Sequence, residues 1–423
     1  LPPIAPVLHD PAAAQAPAPI GAKTIGEREF IVLMGLIQAL QALAIDAMLP
    51  ALGKLSLDLG ATSANQRQLV VGVFLLGAGL GALIPGPLAD RFGRRRVLLT
   101  CLGLYVAQSA ACALVGSFGL LVALRFTLGL ASAGLTVLPA AIIRDRFEGD
   151  RMAKLQSMVG MVFMIVPMIA PSMGQAVLLV ASWRWIFGVM ALLGACVALW
   201  TLLRLPETLR PQYRAPFHPK ALVGSLITVL SHRGAAGYML GLALVMGALF
   251  GYINSTQQLV AEHFGAGSMF PLIFGGMAVA MASTNFINSH IVMRFGARAV
   301  SHCAVLAYIA VSTAQLALAL SGRETLWSFV PLMALNMCLM GFIGANFNAI
   351  ALQPFARNAG AAASAQAFVR MVLASCIGAL VGQAYDGTAR PLAFTLLLAG
   401  LGALGLVLVS ERGRLFHPVA LRE

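Results

Sequence analysis

The chain has 423 residues, of which 59% are hydrophobic and only 10% charged, with a mean hydropathy of +0.87. A soluble domain carries about 25% charge, so this composition excludes one and points to a polytopic membrane protein. The net charge of +13 does not mark a nucleic-acid binder, because the basic residues sit in short turns between apolar runs, with no continuous stripe and no interleaved aromatics.

Leu1–Ile25 is rich in proline and alanine and has no basic start followed by an apolar core. It reads as a disordered tail rather than a signal peptide. Twelve apolar spans follow, near 29–51, 66–89, 97–116, 118–143, 152–178, 183–203, 234–259, 269–292, 299–320, 326–350, 359–384 and 391–410. Between the sixth and seventh lies Arg204–Arg233, with Pro206, Pro211, Pro216, Pro219 and five basic residues. The expected organisation is therefore a tail over 1–27, a six-helix bundle over 28–203, a linker over 204–233, a second bundle over 234–411 and a tail over 412–423.

The basic residues set an expected orientation. With both termini inside, 21 lysines and arginines face the cytoplasm and 5 face out, while Arg125 and Arg370 fall within spans. That bias places both termini and the linker in the cytoplasm. Arg91-Phe92-Gly93-Arg94-Arg95-Arg96-Val97 after span two recurs as Arg294-Phe295-Gly296-Ala297-Arg298-Ala299-Val300 after span eight. The repeat favours two duplicated bundles.

Polar residues inside spans are the candidates for function. Gln38, Gln41 and Asp46 lie in span one, and Asp46 is the only acid deep in any span. A charged carboxylate there is costly unless it meets water, a partner or a proton. The alternative is a carboxylate capping a turn near Pro50 at the outer interface. Asn254, Gln257, Gln258, Asn285, Asn336 and Asn346 are uncharged hydrogen-bonders suited to a neutral or zwitterionic solute, or to bridging helices. Arg370, about eleven residues into span eleven, either contacts substrate or forms a structural pair. No nucleotide-binding loop, metal-ligand spacing or nucleophile cluster is visible, so no enzyme activity, metal or cofactor is expected. The six cysteines lie in apolar runs without C-x-x-C spacing and read as small buried hydrophobes.

Several stretches carry a family resemblance. Gly86-Pro87-Leu88-Ala89-Asp90-Arg91-Phe92-Gly93-Arg94-Arg95 resembles the signature loop between helices 2 and 3 of the major facilitator superfamily. Asp46-Ala47-Met48-Leu49-Pro50-Ala51-Leu52 resembles the D-x-Y-L-P-A-L motif of drug/proton antiporters, with Met48 in place of tyrosine. Leu124-Arg125-Phe126 with Gly129 and Gly134 resembles the buried-arginine motif of helix 4, and Arg144-Asp145-Arg146-Phe147 the turn after it. Pro167-Met168-Ile169-Ala170-Pro171-Ser172-Met173-Gly174 resembles the helix 5 antiporter motif, and Trp183-Arg184-Trp185-Ile186-Phe187 the entry into helix 6. Together they look like the bicyclomycin- and chloramphenicol-resistance branch, over residues 29–400 and most sharply up to Phe187.

The resemblance implies an all-α membrane fold of twelve helices in two pseudo-symmetric bundles. It implies proton-coupled export of a small molecule, drug-like or a polar metabolite, across a bacterial inner membrane by a monomer. Asp46 and Arg125 would carry the coupling. Arg125, about seven residues into span four, reads as cytoplasm-proximal, where the alternative is snorkelling to the interface. Gly86, Asp90, Arg91, Gly93, Arg94, Arg144, Asp145, Pro167, Pro171 and Gly174 would form the gates. In the family the loop aspartate meets the start of helix 11 when the cytoplasmic side is closed, with Arg94 and Arg144 as nearby cations. Pro167, Pro171, Gly160 and Gly174 would seal the outer side, or merely bend span five. An importer of a polar solute with the same fold is the first rival, and a polytopic enzyme the second.

Overall fold

The computed structural model describes residues 25–416 apart from 62, 148, 210–211 and 213–218. The expected tails thus lie largely outside the described residues, as do eight residues of the linker. Ile25, within the expected tail, is buried.

Among the described residues the chain is helical and has no strand. The first half comprises α1 Glu27–Asp46, α2 Leu52–Asp58, α3 Leu69–Gly81, α4 Pro85–Phe92, α5 Arg94–Leu114, α6 Phe118–Arg146, α7 Gly149–Val180 and α8 Arg184–Arg204. After the connecting helix α9, Pro219–Ser231, the second half comprises α10 Arg233–Gln258, α11 Phe270–Phe295, α12 Ala297–Ser321, α13 Leu326–Leu352, α14 Ala359–Gln383 and α15 Arg390–Ser410. Among the described residues eleven stretches are long and apolar enough to cross a membrane, and α3 with α4 makes a twelfth that is bent by 44°.

Three departures from the expected spans have physical causes. Span two breaks because Pro85 and Pro87 offer no N–H to the preceding turn and crowd its carbonyls. Span one stops being α-helical at Asp46, and Leu49-Pro50-Ala51 turns as a 3₁₀ segment before α2. The linker contains α9, which packs on α14, with Val229 buried beneath it.

The two bundles share their turn chemistry. Gly93 has φ of 100° and Gly296 has φ of 79°, each between the second and third long helix of its half. Only glycine takes such a conformation without strain. A glutamate from beyond the sixth helix grips the third in both halves. Glu207 accepts from Arg94 N at 2.8 Å, while Glu411 accepts from Arg298 Nε at 2.8 Å and from the Tyr238 hydroxyl at 2.7 Å. A carboxylate at a helix N-terminus satisfies free N–H groups and complements the dipole.

Inside the first half, α3 and α6 cross with their backbones nearly touching. A β-carbon on Gly129 would lie 2.2 Å from Phe74 O, and one on Gly77 would lie 2.2 Å from Phe126 O. Small residues permit this approach in lipid, where packing rather than the hydrophobic effect joins helices. The halves meet along α3 with α14, where Gly72 faces Ala379 and Gly79 faces Met371, and along α7 with α11, where Gly275 faces Met168 O.

Candidate functional site

Between the halves lies a cavity of about 280 Å³. Its first-half wall comes from α1, α3 and α7, including Gln41, Asp46, Phe163 and Pro167. Its second-half wall comes from α10, α11, α13 and α14, including Phe250, Phe274, Met281, Met337 and Met371. Aromatics and methionines make it apolar and adaptable in shape. Asp46 is its only acid, 5% exposed, and its carboxylate has no ion-pair or hydrogen-bond partner among the described residues. Its place on the last turn of α1 brings it to the cavity wall rather than to the lipid face. Gln41, five residues earlier, also lines the cavity and donates to Ser132 Oγ at 3.3 Å.

Arg125 lies elsewhere. It is fully buried between α3, α5 and α6, its Nε donates to Val70 O at 3.0 Å, and its guanidinium stacks on Phe74 at 4.4 Å. Nη1 and Nη2 have no partner, and Arg125 does not line the cavity. It also sits at the opposite end from the one expected: Val70 opens α3, far from the Asp90 turn. Span four enters from that opposite end, so an early position in it is distant from the Asp90 turn. Arg125 thus lies at about the depth of Asp46 but outside the cavity that Asp46 lines.

The remaining polar candidates divide by face. Asn336 donates to Gln315 Oε1 at 2.8 Å and accepts from Ser312, tying α12 to α13. Asn346 donates to Asn288 Oδ1 at 2.8 Å, tying α13 to α11. Asn254 is buried beside Gly378 with neither side-chain atom partnered. Gln257 is buried and Gln38 half-buried, and neither lines the cavity. Asn285 is on α11, with its side chain outside the described residues. Arg370 lines a second cavity of about 290 Å³, which shares Met281 with the first.

The gating candidates sit at two ends. At one, Arg94 is buried, pairing with Asp90 at 2.6 Å and Asp145 at 2.9 Å. Gly93 leaves the space that the Glu207 carboxylate fills. Gly86 lies on α4, near Val137 of α6. Arg91 and Arg144 are exposed. Among the described residues none of these contacts reaches the second half, and α4 packs on α5 and α6. On α7, Pro167 reaches the cavity, Pro171 is buried, and the helix continues unbroken through both. Gly174 receives the Ala47 carbonyl, whereas nothing lies near Gly160.

At the other end a polar clasp joins the halves. Arg67 pairs with Glu262 at 2.6 Å, and Gln68 meets Gln258. Asn65 donates to Gln383 O and Tyr385 O, both at 2.9 Å, and Gln383 donates back to Asn65 O at 2.9 Å. Among the described residues, all hydrogen bonds and ion pairs between the halves lie here. Glu262 sits on a π-helical turn that ends α10, a feature frequent at functional sites. Of this clasp, sequence reasoning named only Gln258, and as a pocket residue. Nothing in the chain ties Arg67 to a glutamate 195 residues away. The structure is closed at the Arg67 end.

Glu262→Gln should loosen this clasp by about 1–2 kcal/mol, because it leaves a buried arginine without its charge partner. The ratio of open to closed molecules at that end should rise some five- to thirtyfold. Spin labels at exposed Ser63 and Asp386, in a background without native cysteines, would report it as growth of a longer-distance population. An unchanged distance distribution would mean that the ion pair does not hold this end shut.

The profile of the Major Facilitator Superfamily matches residues 34–379. An MFS-type transporter of Bacillus subtilis, YdgK, is 34% identical over 391 residues, covering 90% of this chain and 95% of that protein. A bicyclomycin resistance protein homolog of Haemophilus influenzae is 29% identical over 370 residues, covering 87% of this chain and 92% of that one. Among solved structures, a D-xylose–proton symporter superposes with a TM-score of 0.67 at 14% identity, covering 90% of this chain and 95% of its own. That likeness speaks for the fold alone.

Proposed function

The chain belongs to the major facilitator superfamily, and from that premise we propose that it exports drug-like small molecules from a bacterial cell in exchange for protons. The observation that carries this reading is the cavity between the halves: apolar, closed at the Arg67 end, and holding one unpartnered carboxylate. A solute entering from the Asp90 end meets that carboxylate towards the closed end of the cavity. Proton and solute then occupy the cavity alternately while the halves rock about it.

The Asp90 end is the cytoplasmic end on this reading, because the arginine-rich turns lie there. The described state is then inward-facing. Asp46 is the group that takes up and releases the proton. Arg125, always charged and held in the bundle wall, keeps the field beside the cavity positive without titrating. The Asp90–Arg94–Asp145 cluster is the latch of the opposite state, in which Asp90 would meet the start of α14. Asp90→Asn should therefore shift the spin-label distances in the opposite sense to Glu262→Gln, towards closure at the Arg67 end. The relative's printed name makes bicyclomycin the first compound to try. Cells overexpressing the protein should tolerate at least one member of a panel containing bicyclomycin and chloramphenicol, and a proton uncoupler should remove the protection. Protection that survives the uncoupler would count against proton coupling.

A further inference from the structure

Two cavities that share Met281 each hold one charged pole, and the poles have opposite signs. Asp46 stands at one, on α1 of the first half. Arg370 stands at the other, on α14 of the second half. The only polar contact of Arg370 among the described residues is Nη1 to Asn348 Oδ1 at 3.3 Å, and Gln366 donates to the same oxygen at 3.2 Å. Among the described residues, no carboxylate lies within ion-pair distance of Arg370 and no cation within that distance of Asp46. Such uncompensated charges within a membrane bundle are costly and mark a site where a ligand supplies the partner.

Packing sets the distance between the poles. Gln41 on α1 bonds Ser132 on α6, Gly81 on α3 abuts Leu130 on α6, and Gly79 on α3 abuts Met371 on α14. This ladder puts Arg370 level with Gln41, five residues from Asp46. That is roughly 7–8 Å along the bundle at 1.5 Å per residue, before any lateral offset. Met281 lines both cavities, Phe250, Met337 and Met371 line the Asp46 one, and neither lining holds a further charge.

We propose that this double cavity binds a zwitterion with an apolar body, its cationic group at Asp46 and its anionic group at Arg370. The planar guanidinium suits a carboxylate, sulfonate or phosphonate, gripped by two N–H groups. The methionines and aromatics accept the body. A cationic group at Asp46 and a proton on Asp46 exclude one another, which gives the exchange its stoichiometric logic. The proposal rests on the exporter reading of the same cavity and adds the charge pattern of the solute.

The test is equilibrium binding to the purified full-length chain, with 4′-(aminomethyl)biphenyl-4-carboxylate as a fluorescent probe. Its rigid apolar core holds amine and carboxylate apart. Its methyl ester keeps only the positive charge, and its N-acetyl derivative only the negative one. The zwitterion should bind at least tenfold more tightly than either derivative. Arg370→Gln should abolish the preference over the ester while leaving ester binding itself intact, which also shows that the variant is folded. Arg370→Lys should restore part of the preference. Asp46→Asn should abolish the preference over the N-acetyl derivative alone. Equal binding of all three probes by the unaltered protein, or a zwitterion-to-ester ratio unchanged in Arg370→Gln, would overturn the proposal. Drug export without that charge preference would leave the exporter reading standing. Charge-selective binding without proton-driven transport would overturn the exporter reading instead.

Discussion

Asp46→Asn should abolish the accumulation of drug against its gradient while leaving downhill exchange of drug across the membrane. Asparagine matches aspartate in size and hydrogen-bonding reach but cannot take up a proton. The side chain is buried at the cavity wall with no partner that the substitution would strand. Folding should therefore survive, and the loss should fall on coupling. Reconstituted vesicles with an imposed pH gradient separate the two activities. Full gradient-driven accumulation by Asp46→Asn would remove Asp46 as the coupling group. Among the described residues, no other acid lines either cavity. Arg125→Lys keeps the charge but loses the planar fork, including its bond to Val70 O and much of its stack on Phe74. It should be impaired in rate rather than uncoupled.

Gly129→Val should cost the protein its fold. The first added carbon already meets the Phe74 carbonyl at 2.2 Å and Ala78 N at 2.9 Å, and the other valine carbons have nowhere to go. Backbone cannot swing aside as a flexible side chain would, so α3 and α6 must part. Overpacking of this kind costs typically 1–3 kcal/mol and more when backbone is struck. The crossing also carries Arg125, so an opened seam would admit lipid or water beside an unpaired guanidinium. Gly160→Ala on α7 is the matched control: nothing lies within 4 Å of its added carbon. It should be neutral or slightly stabilising, since alanine is the better helix former. Size-exclusion profiles of the extracted proteins read both. A monodisperse Gly129→Val peak at normal yield would mean that the helices can separate there at little cost.

These residues show how far the sequence could be read. Twelve spans, the glycine turns at 93 and 296 and the duplicated halves were legible, because hydropathy, charge sidedness and a seven-residue repeat each report locally on depth and turning. The acid in the cavity was legible for the same reason: a carboxylate deep in an apolar run stands out. Face was not. Asn336 and Asn346 have the depth of a pocket residue, but the helical phase of each turns it to a neighbouring helix. The Arg67–Glu262 clasp was hidden because it joins two short helical turns from different halves, where no periodicity links one position to another. The break in span two was foreshadowed by Pro85 and Pro87, yet its 44° bend depends on α5 and α6 holding α4 in place.

Proton exchange leaves a signature that vesicles without a pH gradient can report. Purified protein in vesicles, with a pH-sensitive dye trapped inside and no pH gradient, is offered bicyclomycin or chloramphenicol from outside. Drug entering down its gradient should drive protons out, so the lumen should turn alkaline in wild-type vesicles and stay unchanged with Asp46→Asn. An acidifying lumen, or drug entry with no proton movement, would contradict the account.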